Sequence, residues 1–184
     1  MANITISGTP GSGKSTIAKL LKENVSLDYV YSGKIFRELA EEYKMSLAEF
    51  GTYCETHEEV DRKLDEKQIY LLKKGNVLLE GRLAGWLAVL NDISAFKIWI
   101  DAKPTIRAER IVNREGGNVK DQLFSLIERE KSEQVRYKKY YNIDLTDTSI
   151  YDLLIDSSEK KPEQILSIIL KRLQKVDVNI IQNQ

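Results

Sequence analysis

A glycine-rich loop near the start of the chain constrains the fold more than any other feature. The segment GTPGSGKS at positions 8–15 fills every fixed position of the pattern G-x-x-x-x-G-K-[ST]. An apolar, β-favouring run at 2–7 precedes the loop, and a helix-like run from Ser15 to Asn24 follows it. Glycines can adopt backbone angles that a Cβ atom forbids, so successive N–H groups can turn inward at the helix N-terminus. The sequence therefore predicts a polyphosphate-binding loop between a strand and a helix.

Two side chains at the end of this loop supply the chemistry. Lys14 is expected to reach the β- and γ-phosphates of a nucleoside triphosphate, and the Ser15 hydroxyl is expected to ligate magnesium. The predicted binding residues of the loop are Gly8, Thr9, Pro10, Gly11, Ser12, Gly13, Lys14, Ser15 and Thr16.

Composition restricts the class of protein. The chain has 184 residues, 42% of them apolar, which suits one domain with a sizeable core. Its 28 basic and 28 acidic side chains cancel, so we expect no nucleic-acid or membrane partner and a monomer or small oligomer. The single cysteine, Cys54, excludes an internal disulfide, and no signal or membrane-spanning stretch is evident. We expect a soluble cytoplasmic protein.

Short apolar runs alternate with helical segments along the whole chain. The predicted strands are 2–7, 27–31, 76–80, 96–101 and 150–156. Such strands, separated by helices, predict a three-layer α/β fold, a parallel sheet with helices on both faces and ligands beyond the carboxyl ends of the strands. Pro104 and Pro162 suit the first turns of two crossover helices.

Two intervals are longer than a simple crossover requires. Residues 32–75 fit two or three helices, and residues 104–141 fit a helix pair that breaks at Gly116 and Gly117. Each interval is predicted to be an insertion that folds over a ligand within one domain, 1–184.

Arginines follow two of the predicted strands. Arg37 lies just after the second strand, and Arg82 follows the third at its tip. Either could pair with a surface carboxylate. Together, at neighbouring strand ends, they predict a fork for a second phosphate.

Two further sets of charged residues lie at helical spacing on either side of the Gly116–Gly117 break. The sets are Arg107, Arg110 and Arg114, followed by Arg129, Glu133 and Arg136. Each set would lie along one face of a helix, which predicts a mobile cationic flap. The alternative is a charged amphipathic hairpin stabilised by Glu109, Glu115, Glu128 and Glu130.

These residues resemble the nucleoside monophosphate kinases, and most closely the archaeal-type cytidylate kinases. The similarity extends from about Asn3 to the final helix. Its specific parts are the phosphate-binding loop, SG with IFRELA at 32–40, MSL with EFG at 45–51, LEGRLAGW at 79–86, RIV with REG at 110–116, and SIYDL at 149–153.

The resemblance implies a five-stranded parallel core, a monophosphate-binding insertion at about 33–74 and a lid at about 107–141. In addition to the loop, it assigns Arg110 and Arg114 to ATP. It assigns to CMP the residues Ser32, Gly33, Phe36, Arg37, Gly81, Arg82, Arg129, Glu133 and Arg136. The residues assigned to catalysis are Lys14, Arg114, Arg129 and Arg136.

The implied reaction is ATP- and magnesium-dependent transfer to CMP or dCMP in pyrimidine nucleotide metabolism. The chain departs from the family pattern at Asn142, where relatives often have glycine, and at Glu80, where other phosphate-loop families have aspartate. Magnesium is then expected on Ser15, phosphates and water, with Glu80 behind them. A monophosphate acceptor is already anionic at neutral pH and needs no base, so His57 is interpreted as a surface residue.

The base-reading residues remain open between Asp61, Arg62 and Asp65. Trp86, Trp99, Leu87 and Val89 are interpreted as core or interface residues, and Tyr137, Tyr140 and Tyr141 as packing between helix and sheet. Other open alternatives are an adenylate or UMP kinase, a kinase with a hydroxyl acceptor and a non-kinase NTPase. The Asp-x-x-Gly and Asn-Lys-x-Asp motifs of a regulatory GTPase are absent from the sequence.

Overall fold

A computed structural model describes residues 2–176 of the chain. Five strands form one parallel sheet: β1 (Ile4–Gly8), β2 (Asp28–Tyr31), β3 (Val77–Glu80), β4 (Phe96–Asp101) and β5 (Leu153–Asp156). Their order in the sheet is β2-β3-β1-β4-β5. The described residues also form eight helices: α1 (Lys14–Lys22), α2 (Ser32–Glu42), α3 (Leu47–Cys54), α4 (Glu58–Lys74), α5 (Ala84–Leu90), α6 (Pro104–Glu115), α7 (Val119–Tyr141) and α8 (Pro162–Lys175). The predicted α/β class with a five-stranded parallel sheet is confirmed.

The register of the sheet brings the functional segments to one edge. Gly8 at the end of β1 pairs with Ile100 of β4, and Ile6 pairs with Glu80 of β3. Tyr31 of β2 also pairs with Glu80. Because the strands are parallel, all their carboxyl ends lie at this edge. The chain segments that follow β1, β2 and β3 therefore start side by side.

Helices cover both faces of the sheet, so the central strands β1, β3 and β4 are almost fully buried, whereas the edge strands β2 and β5 are partly exposed. On one face, α1 and α8 pack on the sheet through buried side chains that include Ile17, Leu21, Ile165, Ile169 and Leu173. On the other face, α4, α5 and the end of α7 contribute Leu72, Leu87 and Tyr137 to a second core.

The start of the last strand differs from the prediction. The apolar run at 150–156 predicts a strand over its full length, but β5 begins at Leu153. Tyr151 instead turns into the interior, where its ring lies 5.2 Å from that of Trp99. The Asp152 carboxylate accepts a hydrogen bond from the Lys97 backbone N–H at 2.7 Å, so this residue closes the turn before the strand.

The two long intervals have the predicted helix content. The first contains α2, α3 and α4, and the second contains α6 and α7, separated at Gly116 and Gly117. Both glycines have positive φ, 83° and 91°, and a Cβ atom on either would meet nothing within 4 Å. Their conformation, rather than crowding, therefore favours glycine. Pro104 and Pro162 occupy the first turns of α6 and α8 as predicted.

No helix within residues 2–176 combines the length and the low polarity that crossing a membrane requires.

Candidate nucleotide-binding site

A cavity of about 410 Å³ opens at the carboxyl edge of the sheet, between the sheet, α4 and α7. Most of the residues predicted for the site line it. They are Pro10, Gly11, Ser12, Gly13, Lys14, Ser15 and Thr16 of the loop, Ser32, Gly33, Phe36 and Arg37 of α2, Gly81 and Arg82 after β3, Arg110 and Arg114 of α6, and Arg129, Glu133 and Arg136 of α7. Gly8 and Thr9 lie behind the lining, where their carbonyl oxygens accept hydrogen bonds from Arg82 and Lys14.

The loop conformation requires glycine where the chain passes its neighbours. A Cβ atom on Gly8 would lie 1.9 Å from the Ile100 carbonyl oxygen, and one on Gly11 would lie 2.8 Å from that of Arg107. Gly13, in a left-handed conformation, begins α1 without any side-chain cap. The first N–H groups of α1 thus have no side-chain acceptor, and they lie at the positive end of the helix dipole. This geometry suits an anion.

Lys14 lies under the loop. Its ammonium group donates a hydrogen bond to the Thr9 carbonyl at 2.6 Å. Burial, together with the positive charges of Arg82 and Arg129, lowers the pKa of Lys14 to about 7, although Glu80 and Glu133 act in the opposite direction. A polyphosphate beside this group would supply the negative charge that restores its protonation.

The donor set beside Lys14 suits magnesium. The Ser15 hydroxyl donates to one Glu80 oxygen at 2.6 Å, and the Tyr29 hydroxyl donates to the other at 2.5 Å. Magnesium prefers such oxygen ligands and keeps several waters. Within residues 2–176 no cluster of three or more His, Cys, Asp or Glu side chains could hold a metal alone. An ion here would therefore take its other ligands from phosphates and water, as the sequence predicts.

Arg82 belongs to a buried charge network rather than to the surface. Its guanidinium donates to the Gly8 carbonyl at 2.5 Å and forms an ion pair with Glu133. Arg129 donates to the other Glu133 oxygen at 3.0 Å. Burial opposes the ionisation of Glu133, but Arg82, Arg129 and Arg136 outweigh it and lower the pKa of this carboxyl to about 2. Glu133 is therefore a fixed anion that holds two arginines at the cavity wall.

Arg136 and Arg37 complete the cationic wall by different contacts. Arg136, 2% exposed, donates to both oxygens of Asp61 at 2.9 Å and lies 5.5 Å from the centre of the Phe36 ring. Arg37 lies over the Tyr31 ring at 5.6 Å and has no carboxylate partner within residues 2–176. Arg37 is thus the arginine of this wall whose charge is least compensated by the protein.

The arginine stripe on α6 divides between two roles. Arg107 does not line the cavity: it is buried, donates to the Ala102 carbonyl at 3.0 Å and pairs with Glu130. Its predicted place in a cationic flap is therefore wrong, because this side chain fastens α6 to the loop and to α7. Arg110 lines the cavity and donates to the Ser157 carbonyl at 2.7 Å.

Arg114 fits both predictions for this region, the arginine stripe that faces a ligand and the hairpin stabilised by ion pairs. It lines the cavity, and it also forms an exposed ion pair with Glu115. The hairpin alternative is thus correct for the pairs that involve Glu115 and Glu130, and the stripe is correct for Arg110 and Arg114.

Of the three residues considered for contacting the base, two line the cavity and one does not. Asp61 and Asp65 line the cavity, whereas Arg62 pairs with Glu58 on the outside of α4. Gln68, which the sequence reasoning missed, is buried and lines the same wall. Its position completes an i, i+4, i+7 spacing with the two acids, and this pattern was the available signal.

All of the remaining candidates except Tyr137 lie outside the cavity. The His57 ring stacks on Tyr53 with centroids 3.6 Å apart and does not line the site. Leu87 and Trp99 are buried as predicted, whereas Val89 is 39% exposed. Tyr137 is buried in the core and also lines the cavity. Tyr140 donates to the Cys54 carbonyl, and Tyr141 donates to Asp65.

Comparison with known proteins identifies the family. Residues 3–159 match the cytidylate kinase-like family. The chain belongs to this family. It is 45% identical over 174 residues to the cytidylate kinase of Pyrococcus horikoshii, which covers 95% of this chain and 89% of the relative. It is 48% identical over 167 residues to the cytidylate kinase of Methanocaldococcus jannaschii, with 90% and 94% coverage. The predicted resemblance is confirmed.

Solved structures support the fold. An uncharacterised protein from Eubacterium ventriosum superposes with a TM-score of 0.69 at 19% identity, covering 95% of this chain and 99% of that one. A shikimate kinase from Aquifex aeolicus gives a TM-score of 0.58 at 20% identity, with 96% and 98% coverage. At such identities the likeness concerns the architecture alone.

Proposed function

We propose that the protein transfers the γ-phosphoryl group of ATP to CMP or dCMP and yields ADP with CDP or dCDP. The observation that carries this proposal is the position of two separate phosphate-binding arrays on one cavity. The loop with Arg110 and Arg114 forms the donor side. The acceptor side is formed by Arg37, by the ion pairs of Arg82 and Arg129 with Glu133, and by Arg136. The relatives named cytidylate kinases support the choice of acceptor.

On the donor side, the N–H groups of the loop and the Lys14 ammonium would hold the β- and γ-phosphates. Magnesium, held by Ser15 and backed by Glu80, would supply charge neutralisation between these phosphates. Arg110 and Arg114 line the same side of the cavity, where they would contact the adenosine and the phosphates of ATP.

On the acceptor side, Arg37 and Arg82 would bind the monophosphate, with Ser32, Gly33, Phe36 and Gly81 around it. The acceptor oxygen needs no base, because the second ionisation of a phosphate monoester lies near pH 6. A cavity without histidine in its lining agrees with this chemistry. The protein's work is then to align two polyanions and to offset their repulsion.

Helices α6 and α7 provide the conditions for that alignment. Arg114, Arg129 and Arg136 project from these helices into the cavity. The Gly116–Gly117 break between the helices would allow residues 107–141 to act as a lid. A closed lid excludes water, which would otherwise accept the phosphoryl group. We place the enzyme in pyrimidine nucleotide metabolism of the cytoplasm, as a monomer or small oligomer.

An acceptor panel tests the proposal. The purified protein is incubated with ATP and magnesium plus CMP, dCMP, UMP, AMP or a simple alcohol, and both ADP and the new diphosphate are quantified. We expect one CDP per ADP with CMP as the acceptor, and one dCDP per ADP with dCMP. A strong preference for AMP would reassign the acceptor, and ADP release without any nucleoside diphosphate product would indicate an NTPase and overturn the proposal.

A further inference from the structure

One buried hydrogen-bond acceptor on the acceptor side has no donor. The amide of Gln68, on α4, is 5% exposed, and its carbonyl Oε1 has no hydrogen-bond partner within the described residues. Buried polar atoms of native proteins are nearly always paired, so an orphan on a cavity wall indicates a ligand group. The same residue lines the cavity.

Asp65 fixes the orientation of this amide. One Asp65 oxygen accepts the Tyr141 hydroxyl at 2.7 Å, and the other accepts the Gln68 amide nitrogen at 2.9 Å. An ionised carboxylate only accepts hydrogen bonds, so the NH₂ group of Gln68 faces it. Burial raises the pKa of Asp65 to about 7, so this orientation belongs to pH values above 7, where the selectivity is to be measured. The carbonyl oxygen is thereby turned away from Asp65 and remains available as an acceptor.

The carbonyl oxygen of Gln68 lies close to the turn that leads into the proposed monophosphate site. A Cβ atom on Gly81 would stand 2.9 Å from Gln68 Oε1, so the oxygen lies against the turn after β3. The next residue in that turn is Arg82, which belongs to the proposed monophosphate site. The neighbouring acid, Asp61, has both oxygens bound to Arg136 and is less available for a base.

We propose that Gln68, oriented by Asp65 and Tyr141, makes the acceptor site select a base with an exocyclic amino group over a base with a keto oxygen at the same position. The N4 amino group of cytosine donates to Gln68 Oε1, whereas O4 of uracil would place two acceptors against each other and leave both unpaired. This inference rests on the proposed monophosphate kinase activity and adds its base selectivity.

The first test removes the acceptor with little change of volume. In Gln68→Met, kcat/KM for CMP is expected to fall roughly 10- to 100-fold, while kcat/KM for UMP and the KM for ATP change less than about threefold. Gln174→Met makes the same substitution at an exposed position of α8 and should leave all three values unchanged. A structural defect would instead lower turnover with both acceptors.

The second test reverses the orientation of the Gln68 side-chain amide. In Asp65→Asn, the introduced carbonyl can still accept the Tyr141 hydroxyl, while the introduced NH₂ donates to Gln68 Oε1 and releases the Gln68 NH₂ toward the base. We expect kcat/KM for UMP to rise and the CMP to UMP ratio to fall by at least about tenfold. A gain with UMP is a result that loss of folding cannot produce, so this variant carries the test if Gln68→Met is unstable.

The outcomes separate this inference from the activity on which it rests. If the wild-type protein phosphorylates no mononucleotide, the proposed function fails. If it phosphorylates CMP but uses UMP equally well, or if the soluble variants keep the wild-type CMP to UMP ratio, the kinase assignment stands and the role of Gln68 is wrong.

Discussion

On the donor side of the cavity, phosphate would meet backbone N–H groups of one continuous loop, whereas on the acceptor side it would meet side chains from α2, from the turn after β3 and from α7. The shape of the loop depends on glycines at positions where neighbouring atoms leave no room for a Cβ atom, as at Gly8 beside Ile100. The acceptor side obtains its shape from ion pairs, such as Arg82 with Glu133, between residues 51 apart in sequence. The donor side is thus encoded locally, and the acceptor side exists only in the folded protein.

Removal of Lys14 should affect the donor side most strongly. In Lys14→Ala we expect kcat to fall about 10³-fold or more, because the buried ammonium that would stabilise the transferring phosphoryl group is lost. Steady-state CDP formation measures this effect. Lys19→Ala, an exposed lysine of the same helix, is the control, and comparable loss in both variants would contradict a specific role for Lys14.

Neutralisation of Glu133 should reveal how far the acceptor side depends on its charge network. The pKa of this buried carboxyl is lowered from 4.5 to about 2, so its charge contributes about 3 kcal/mol to folding at neutral pH. That contribution is complete above pH 4.5 and is lost as the pH falls through about 2. Glu133→Gln should therefore lower the free energy of unfolding by this order at pH 7.

Denaturant titrations at several pH values check the sign. The difference between wild type and Glu133→Gln should narrow as the pH falls below 4.5, since the wild-type carboxylate is then protonated preferentially in the unfolded chain. Glu128→Gln, an exposed change on the same helix, should have little effect. A difference that is independent of pH would show that the Arg82 and Arg129 pairs do not depend on this charge.

The acceptor side should respond to Arg37 mainly through binding. Arg37→Ala is expected to raise the KM for CMP roughly 10- to 100-fold while the KM for ATP stays near its wild-type value. Lys34→Ala removes an exposed cation from the same helix and serves as the control. An unchanged KM for CMP would show that Arg37 does not bind the monophosphate.

The same contrast explains what the sequence could predict. The loop, the five strands apart from the start of β5, and the helix starts at Pro104 and Pro162 depend mainly on neighbouring residues, and the structure has them as predicted. Arg107 was misplaced because its partner, Glu130, is 23 residues away and only the packing of α6 on α7 brings the pair together. Gln68 was missed because its only local signal is its spacing from Asp61 and Asp65 on the helix, and its role emerges from its hydrogen bond to Asp65.

The smallest expected effect concerns the donor side and is the number of protons taken up when ATP binds. Because the pKa of Lys14 is about 7, most of this residue is neutral at pH 8, and a bound triphosphate should raise that pKa and cause uptake approaching one proton per site. Calorimetric titrations with ATP in two buffers of different ionisation enthalpy measure this uptake. It should nearly vanish at pH 6, where Lys14 is already charged, and in Lys14→Arg, whose guanidinium stays charged throughout. Equal proton uptake by Lys14→Arg would show that another group takes up the proton. It would contradict the inference that bound phosphate protonates Lys14.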